Sequence, residues 1–217
     1  MLGGELEVRR LGFGAMRIVD DREEGVRVLR RAVELGVTLI DTADIYGAGR
    51  SEEIIAEALH PYPDGLVIAS KGGLGHGLQP RIRDGRPEYL RRACEASLRR
   101  LKLERIELYQ LHAPDENVPY EESLGALIEL REEGKIAHIG ISNVSVELLE
   151  QALAMTEVVT VQNRFNLADS HSEDVLDACT ERGIGFIPWF PLATGQLAQP
   201  GGPLDDDEIR TLADAVG

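Results

Sequence analysis

Four side chains that lie far apart in the sequence could together transfer a proton: Asp41, Tyr46, Lys71 and His112. They fall at the ends of three short apolar runs, VTLIDTADIY, GLVIASKGG and ELYQLHAPD. If these runs are parallel strands, their carboxyl ends meet at one end of one sheet, which is where α/β proteins carry their chemistry. We therefore expect the four side chains to form one site.

The chemistry of this set centres on the Tyr46 phenol. A phenol titrates at about pH 10, so it is a poor acid and a poorer base at neutral pH. The ammonium group of Lys71 would lower that value by stabilising the phenolate, and a buried Asp41 carboxylate would keep the lysine charged and in place. An imidazole such as His112 can orient a carbonyl oxygen or pass a proton on. Such a set could protonate a carbonyl oxygen while hydride reaches the carbonyl carbon.

Each of these residues alone is weak evidence for a site. An aspartate at a strand end more often caps a helix or bonds within a loop. A single tyrosine, lysine or histidine more often serves packing, solvation or a structural hydrogen bond. Their common position at successive strand ends is what favours catalysis.

The elements that must position the set alternate regularly between strand and helix patterns. Near-continuous apolar strands are typical of a parallel sheet that is covered by helices on its faces. Seven strands are predicted, in RRLGFGAMRIV, VTLID, GLVIASK, RIELYQLH, KIAHIGISN, VVTVQNRF and GIGFIPWFPL. Six helices are predicted between them, and a weaker one over DDDEIRTLADAVG follows the last strand. This alternation favours a single (β/α)8 barrel of the TIM type over a doubly wound sheet, since LGFGAM lacks the GxGxxG spacing of a Rossmann site.

Helix boundaries and the inward face of the first helix also follow from the pattern. We expect the side chains of Asp21 and Ser51 to cap the starts of the first and second helices. Pro87 is expected in the first turn of the third helix, and Gly134 just after the end of the fourth. The apolar stripe of the first helix is predicted to consist of Val26, Leu29, Val33 and Leu35.

An eighth strand and helix are not recognised in the sequence. A barrel of this type has eight strands and about 250 residues, whereas the chain has 217 residues. We therefore expect an open edge between the first and seventh strands, with unpaired backbone groups. A second subunit in a homo-oligomer, a rearrangement, or polypeptide outside this sequence could cover that edge.

The composition is that of a soluble globular domain and excludes several classes of partner. A formal net charge of −15 argues against nucleic acid and anionic membrane surfaces, both of which need clustered lysine and arginine. The two cysteines, Cys94 and Cys179, have no metal-like spacing and are expected to be small buried side chains. No apolar run approaches about 18 residues and no signal peptide is recognised, so a cytoplasmic location is expected.

The motifs, taken in order, resemble those of the aldo-keto reductase superfamily from about residue 9 to about residue 204. LGFGAMR resembles the opening strand, and LIDTADIYG resembles the signature with the catalytic aspartate and tyrosine, at Asp41 and Tyr46. The catalytic lysine corresponds to Lys71 in ASKGG, and the histidine to His112 in YQLHAPD. The resemblance implies a (β/α)8 barrel that reduces an aldehyde or ketone with NADPH, with Tyr46 as the acid.

The resemblance also implies residues that bind the cofactor NADP(H). GKIAHIGISN and VQNRFN resemble stretches that hydrogen-bond the nicotinamide carboxamide, through Ser142, Asn143 and Gln162. Trp189 in FIPWFPL takes the place of the aromatic residue that stacks on the nicotinamide. The loop that covers the pyrophosphate corresponds to Leu192, Gly195 and Leu197. Residues that grip the adenosine 2′-phosphate in the superfamily have no recognised counterpart here.

Two other functions remain open on the sequence. One is a non-catalytic or cofactor-sensing subunit that kept the site without turnover. The other is a lyase or isomerase that uses Tyr46, Lys71 and His112 for proton transfer without a nicotinamide; the nicotinamide-type residues argue against it. The identity of the carbonyl substrate and the choice between NADPH and NADH are also open.

Overall fold

The computed structural model describes residues 1–4, 6–75, 82–193 and 195, which form a curled parallel sheet with helices on its outer side. Each strand is paired in parallel with the next one along the chain. The strands are β1 (Phe13–Gly14), β2 (Leu39–Asp41), β3 (Val67–Gly72), β4 (Ile106–Leu111), β5 (Ile136–Ser142), β6 (Thr160–Arg164) and β7 (Gly185–Trp189). This is the strand order of seven successive units of a (β/α)8 barrel, so the predicted fold class is confirmed.

Helices connect the strands as the pattern predicts. They are α1 (Arg22–Glu34), α2 (Arg50–Leu59), α3 (Pro87–Leu101), α4 (Tyr120–Glu132), α5 (Val146–Met155) and α6 (Glu173–Arg182). The helix predicted over DDDEIRTLADAVG lies outside the described residues. In the described part of the chain, β1 and β7 are the two edges of the sheet. The expectation that a second subunit, a rearrangement or polypeptide outside this sequence covers them stays a prediction.

Most of the predicted helix ends are confirmed, and one is wrong. The Asp21 side chain accepts a hydrogen bond from the Glu24 N–H at 3.0 Å, Pro87 is the first residue of α3, and Gly134 lies just past α4 with a φ of +74°. Ser51 does not cap α2, because that helix begins one residue earlier, after Gly49 at a φ of +91°. The Ser51 hydroxyl instead donates to the Ala15 carbonyl at 2.9 Å, which ties α2 to the end of β1.

The inward stripe of α1 is also shorter than predicted. Leu29 is buried and Val26 and Val33 pack against the core, but Leu35 is 65% exposed. Leu35 is already the residue after the helix, where its N–H bonds the Arg31 carbonyl and the chain turns away through Gly36. The helical period therefore no longer applies to its side chain.

Two hydrophobic cores lie on opposite sides of the sheet because strand side chains alternate in direction. The larger core lies between the sheet and the helices and includes Ile40, Ile68 and Tyr109. The smaller core fills the barrel interior near the strand starts, with Leu6, Leu39, Val67, Ala69, Leu108 and Val159. The next interior positions along β3 and β4 are Lys71 and Gln110, which are fully buried. The interior thus changes from apolar to polar toward the carboxyl ends of the strands.

Both cysteines lie in the packed layer outside the sheet, as predicted. Cys94 and Cys179 are buried free thiols, and burial raises the pKa of Cys94 to about 12 and that of Cys179 to about 11. Thiols with such values are almost wholly protonated at neutral pH and are therefore unreactive. None of the helices in the described ranges is long and apolar enough to cross a membrane.

Candidate active site

The carboxyl ends of β2 to β7 bring the predicted residues to one end of the barrel. Asp41 is the last residue of β2, Lys71 is the penultimate residue of β3, and His112 directly follows β4. Ser142 ends β5 opposite Gln162 of β6, and Trp189 ends β7 opposite Arg164. The register of the sheet therefore sets the relative heights of these side chains, which the sequence alone leaves undefined.

Lys71 and Asp41 form a buried ion pair at the centre of this end. The Lys71 ammonium donates to Asp41 Oδ2 at 2.8 Å and to the Thr42 carbonyl at 2.7 Å. The lysine side chain is 1% exposed and the aspartate side chain 15%. Burial lowers the pKa of Lys71, but the charge of Asp41 and the neighbouring Tyr46 outweigh it, so the pKa is raised above its ordinary value. The lysine therefore keeps its charge inside the barrel.

Tyr46 lies beside this ion pair on the loop between β2 and α2. The Lys71 ammonium is 5.2 Å from the centroid of the Tyr46 ring, and the His112 ring meets it edge-on, with centroids 6.0 Å apart and an interplanar angle of 85°. Tyr46 is half-buried and His112 is buried. The loop returns into α2 through Gly47 and Gly49, both at positive φ. The four residues of the predicted proton-transfer set thus lie together.

Residues at and just after the end of β5, within β6 and at the end of β7 form a second, neighbouring group. Asn143 has a left-handed backbone with a φ of +59°, and its amide donates to the His112 carbonyl at 2.9 Å and to Ser142 Oγ at 3.0 Å. The Ser142 hydroxyl donates to the Gln162 carbonyl at 2.6 Å. The indole N–H of Trp189 donates to Asn143 Oδ1 at 3.0 Å. This network connects the two groups directly through His112.

The Gln162 side chain provides a test of whether a nicotinamide carboxamide fits here. Gln162 is only 4% exposed, and it lies opposite Ser142 on the neighbouring strand. A buried amide needs a donor and an acceptor as partners, and a carboxamide offers both. Arg164 lies over the Trp189 ring at 5.7 Å, which leaves at most one indole face for a stacked ring. The residues present therefore fit a nicotinamide.

The predicted pyrophosphate loop is only partly described. Leu192 is 52% exposed, and the Gly195 N–H donates to the Leu192 carbonyl at 2.8 Å in a tight turn with a φ of +93° at the glycine. Leu197 lies outside the described residues. The structure thus places the start of this loop just after β7, next to Trp189.

Gln110 is a polar residue of the barrel interior that was not predicted from the sequence. Gln110 is fully buried, and its amide N–H donates to Asp41 Oδ1 at 3.3 Å. It precedes His112 by two residues on the same strand face, because β-strands alternate with period two. The two-residue spacing between Gln110 and His112 could have predicted that both face the barrel interior. It was overlooked because the run ELYQLH was interpreted only as an apolar strand.

A second unpredicted group lies on the other side of the sheet, between β3 and the helices. The Glu52 carboxylate accepts hydrogen bonds from Ser70 at 2.5 Å and Arg100 at 2.6 Å. Asp44 is only 1% exposed, and neither of its carboxyl oxygens has a well-formed hydrogen bond within the described part of the chain. Burial and the charge of Glu52 raise the pKa of Asp44 from 3.8 to about 7, although Arg100 and Lys71 lower it. Asp44 therefore keeps its proton over much of the acidic range.

Sequence comparisons link this arrangement to known oxidoreductases. The family model described as the aldo/keto reductase family matches residues 10–210. An uncharacterized oxidoreductase of Schizosaccharomyces pombe is 43% identical over 211 residues, covering 93% of this chain and 69% of that protein. Pyridoxine 4-dehydrogenase of Escherichia coli is 35% identical over 232 residues, covering 99% of this chain and 78% of that enzyme.

Structural comparisons agree with the sequence matches. An aldo-keto reductase from Bacillus halodurans, solved in its holo form, superposes with a TM-score of 0.84 at 31% identity, over 91% of this chain and 67% of that one. An aldo/keto reductase from Klebsiella pneumoniae, solved with NADP and acetate, gives a TM-score of 0.83 at 31% identity, over 100% of this chain and 75% of that one. The chain thus spans between two thirds and four fifths of the length of these four proteins.

Proposed function

The chain belongs to the aldo/keto reductase family of NAD(P)H-dependent oxidoreductases, and from that premise we propose that it reduces an aldehyde or ketone to an alcohol with NADPH. Tyr46 acts as the acid, assisted by Lys71, Asp41 and His112. Ser142, Asn143, Gln162 and Trp189 bind the nicotinamide, and Leu192, Gly195 and Leu197 belong to the loop over the pyrophosphate. The NADP bound in the Klebsiella pneumoniae relative supports this choice of cofactor.

The observation that carries the proposal is the buried Lys71–Asp41 pair beside Tyr46. A lysine this far from solvent stays charged only because Asp41 and the Thr42 carbonyl compensate it. Its positive charge, 5.2 Å from the Tyr46 ring centroid, stabilises the phenolate that remains after the hydroxyl has given up its proton. This charge supports the choice of Tyr46 as the group that protonates the carbonyl oxygen.

His112 and the second group of residues orient the reactants. The edge-on contact between Tyr46 and His112 supports a role in which the imidazole hydrogen-bonds the carbonyl oxygen that Tyr46 protonates. When bound, NADPH supplies the hydride for the carbonyl carbon. The Gln162 amide and the second lone pair of Asn143 Oδ1 offer hydrogen bonds to the carboxamide, and the Trp189 indole offers a stacking surface.

Cofactor binding is measured first, through the fluorescence of Trp189, which is the only tryptophan in the chain. Titration with NADPH and with NADH should quench this fluorescence. The nucleotide with the lower dissociation constant is the preferred cofactor. No quenching by either would contradict the reductase proposal. Binding without oxidation of NADPH across a panel of aldehydes and ketones would favour the non-catalytic, cofactor-sensing function instead.

Substitution of Tyr46 then tests the proton donor. Tyr46→Phe should lower turnover at least about 100-fold, since general acid catalysis contributes about that much or more, and should leave the NADPH dissociation constant within about twofold. The matched control is Tyr120→Phe, which removes a buried hydroxyl that has no hydrogen-bond partner in the described ranges. Turnover retained in Tyr46→Phe would mean that another group is the acid.

A further inference from the structure

Three polar side chains from alternate strands form one layer across the barrel interior. They are Asp41 of β2, Gln110 of β4 and Thr160 of β6. Barrels of this type fill their interior in such layers, each supplied by alternate strands, and the layers usually consist of apolar residues. Here Gln110 and Thr160 are both fully buried, and neither belongs to the site that the sequence predicts.

Hydrogen bonds run through this layer in one direction. The Thr160 hydroxyl donates to Gln110 Oε1 at 3.4 Å, and Gln110 Nε2 donates to Asp41 Oδ1 at 3.3 Å. The other Asp41 oxygen, Oδ2, accepts the shorter bond from Lys71 at 2.8 Å. Thr160 sets the orientation of the glutamine amide, because a flipped amide would turn its oxygen toward the Asp41 carboxylate. The two long contacts therefore orient Asp41, whereas Lys71 supplies the strong interaction.

Gly140 of β5 provides the space for this layer. It pairs with Gln110 on one side and Thr160 on the other. A Cβ atom at residue 140 would lie 2.3 Å from Thr160 Oγ1 and 2.8 Å from Gln110 Cγ. Both distances are shorter than any real contact of this kind, so a larger residue would displace the glutamine or the threonine. The glycine is thus matched to the two polar side chains that flank it.

We propose that Gln110, oriented by Thr160, is a positioning residue for the reaction. It holds Asp41 Oδ1, so that Oδ2 points to Lys71 and the ammonium group stays beside Tyr46. A carboxylate held by Lys71 alone can rotate about its Cβ–Cγ bond, whereas donors on both oxygens fix its plane. The inference rests on the proposed function, because the consequence for turnover exists only if Tyr46 and Lys71 act as proposed.

The test uses two variants of nearly unchanged shape. Gln110→Met keeps the length of the side chain and removes the donor to Asp41. Thr160→Val removes only the hydroxyl that orients Gln110, and it keeps the experiment decisive if Gln110→Met does not fold. The matched control is Thr156→Val, which removes a buried hydroxyl that has no partner in the described ranges. NADPH binding is followed by Trp189 fluorescence in each protein.

Two readouts distinguish positioning from general damage. Turnover should fall about tenfold in Gln110→Met and about threefold in Thr160→Val, with the NADPH dissociation constant within twofold of the wild type. The second readout needs no cofactor: lysine-labelled protein gives ¹⁵Nζ signals from three lysines, Lys71, Lys102 and Lys135. The ammonium protons of buried Lys71 should exchange with water at least threefold faster in both variants, with the signal of Lys135 unchanged as the internal reference.

In an active protein both readouts must change. Unchanged turnover, or unchanged exchange at Lys71, in both variants would overturn the proposal, as would the same changes in Thr156→Val. If the wild-type protein reduces no aldehyde or ketone, the proposed function fails, and the exchange at Lys71 alone then decides whether Gln110 holds Asp41. The two failures are therefore distinguishable.

Discussion

Carboxyl groups lie on both faces of β3, beside Lys71 on the inner face and beside Ser70 on the outer face, and they differ in their ion-pair and hydrogen-bond partners. On the inner face, Asp41 is paired with Lys71 and bonded by Gln110. On the outer face, Glu52 is paired with Arg100 and Ser70, while Asp44 next to it has neither a cation of its own nor a well-formed hydrogen bond within the described residues. The inner group is an ion pair, whereas the outer one includes a carboxyl whose pKa is raised to about 7, so that it keeps its proton only below about that pH.

Burial is the largest cause of the raised pKa of Asp44, and the two groups differ in the partners that can offset such burial. Asp44 and Glu52 are 1% and 0% exposed. Arg100 forms an ion pair with Glu52, whereas its charge acts on Asp44 only from a distance, without a direct contact. If Asp44 were ionised, its carboxylate would lose its hydration without gaining a compensating bond and would lie beside Glu52. The protonated form of Asp44 is therefore favoured. Asp41, in contrast, has Lys71 as its ion-pair partner.

The largest effect is expected when the inner pair is broken. Lys71→Met should lower turnover at least about 100-fold and lower the free energy of unfolding by about 3–5 kcal/mol, because it leaves Asp41 without its cation. The matched control is Lys135→Met, which removes exposed ion pairs with Glu95 and Glu133 at 2.7 and 2.9 Å and should cost less than about 1 kcal/mol. Urea unfolding and NADPH oxidation are the measurements. Equal losses in the two variants would mean that the inner pair stabilises no more than a surface pair.

The next effect concerns the pH dependence of the outer group. The pKa of Asp44 is raised from 3.8 to about 7 in the folded protein, so the folded state binds more protons than the unfolded state between these values. Its contribution to stability is therefore complete below about pH 4, falls as the pH rises toward 7, and is lost above it, by about 4 kcal/mol in all.

Asp44→Asn should remove this slope, since asparagine has the shape of the protonated acid. The stability difference between variant and wild type should be near zero at pH 4 and grow to about 4 kcal/mol in favour of the variant at pH 8. Taking the difference cancels the other titrating groups. The exposed Asp20→Asn serves as the control. Parallel curves for wild type and Asp44→Asn would show that Asp44 ionises normally.

The smallest effect tests the hydrogen bond from Ser70 to Glu52. Ser70→Ala removes the donor to a fully buried carboxylate and should cost about 2 kcal/mol at pH 7. Ser123→Ala is the matched control, because that buried hydroxyl donates to a neutral acceptor, the Gly85 carbonyl, at 2.7 Å, and its loss should cost about 1 kcal/mol. Thermal unfolding of both variants gives the comparison. A larger loss for Ser123→Ala would mean that the bond from Ser70 to the Glu52 side chain is no stronger than a bond to a neutral carbonyl.

Local pattern predicted most of the fold. Apolar runs and helical periods gave seven strands and six helices in order, and capping chemistry correctly gave Asp21, Pro87 and Gly134. Ser51 was assigned wrongly because a serine before a helical pattern has the same appearance whether it caps the helix or bonds another segment. Its true partner, the Ala15 carbonyl, is 36 residues away in sequence. The exposed Leu35 was missed for a related reason, since the period gives no sign of where the helix ends.

The sequence by itself determined which elements form and that Asp41, Tyr46, Lys71 and His112 reach one end of the sheet, because parallel strands of known direction place their carboxyl ends together. Only the tertiary structure decided how buried carboxyls are charged and held. The bonds of Gln110 to Asp41 and of Arg100 to Glu52 join residues 69 and 48 positions apart. Their strength depends on register and burial, which arise when the strands pair and the helices pack, and which no local pattern encodes.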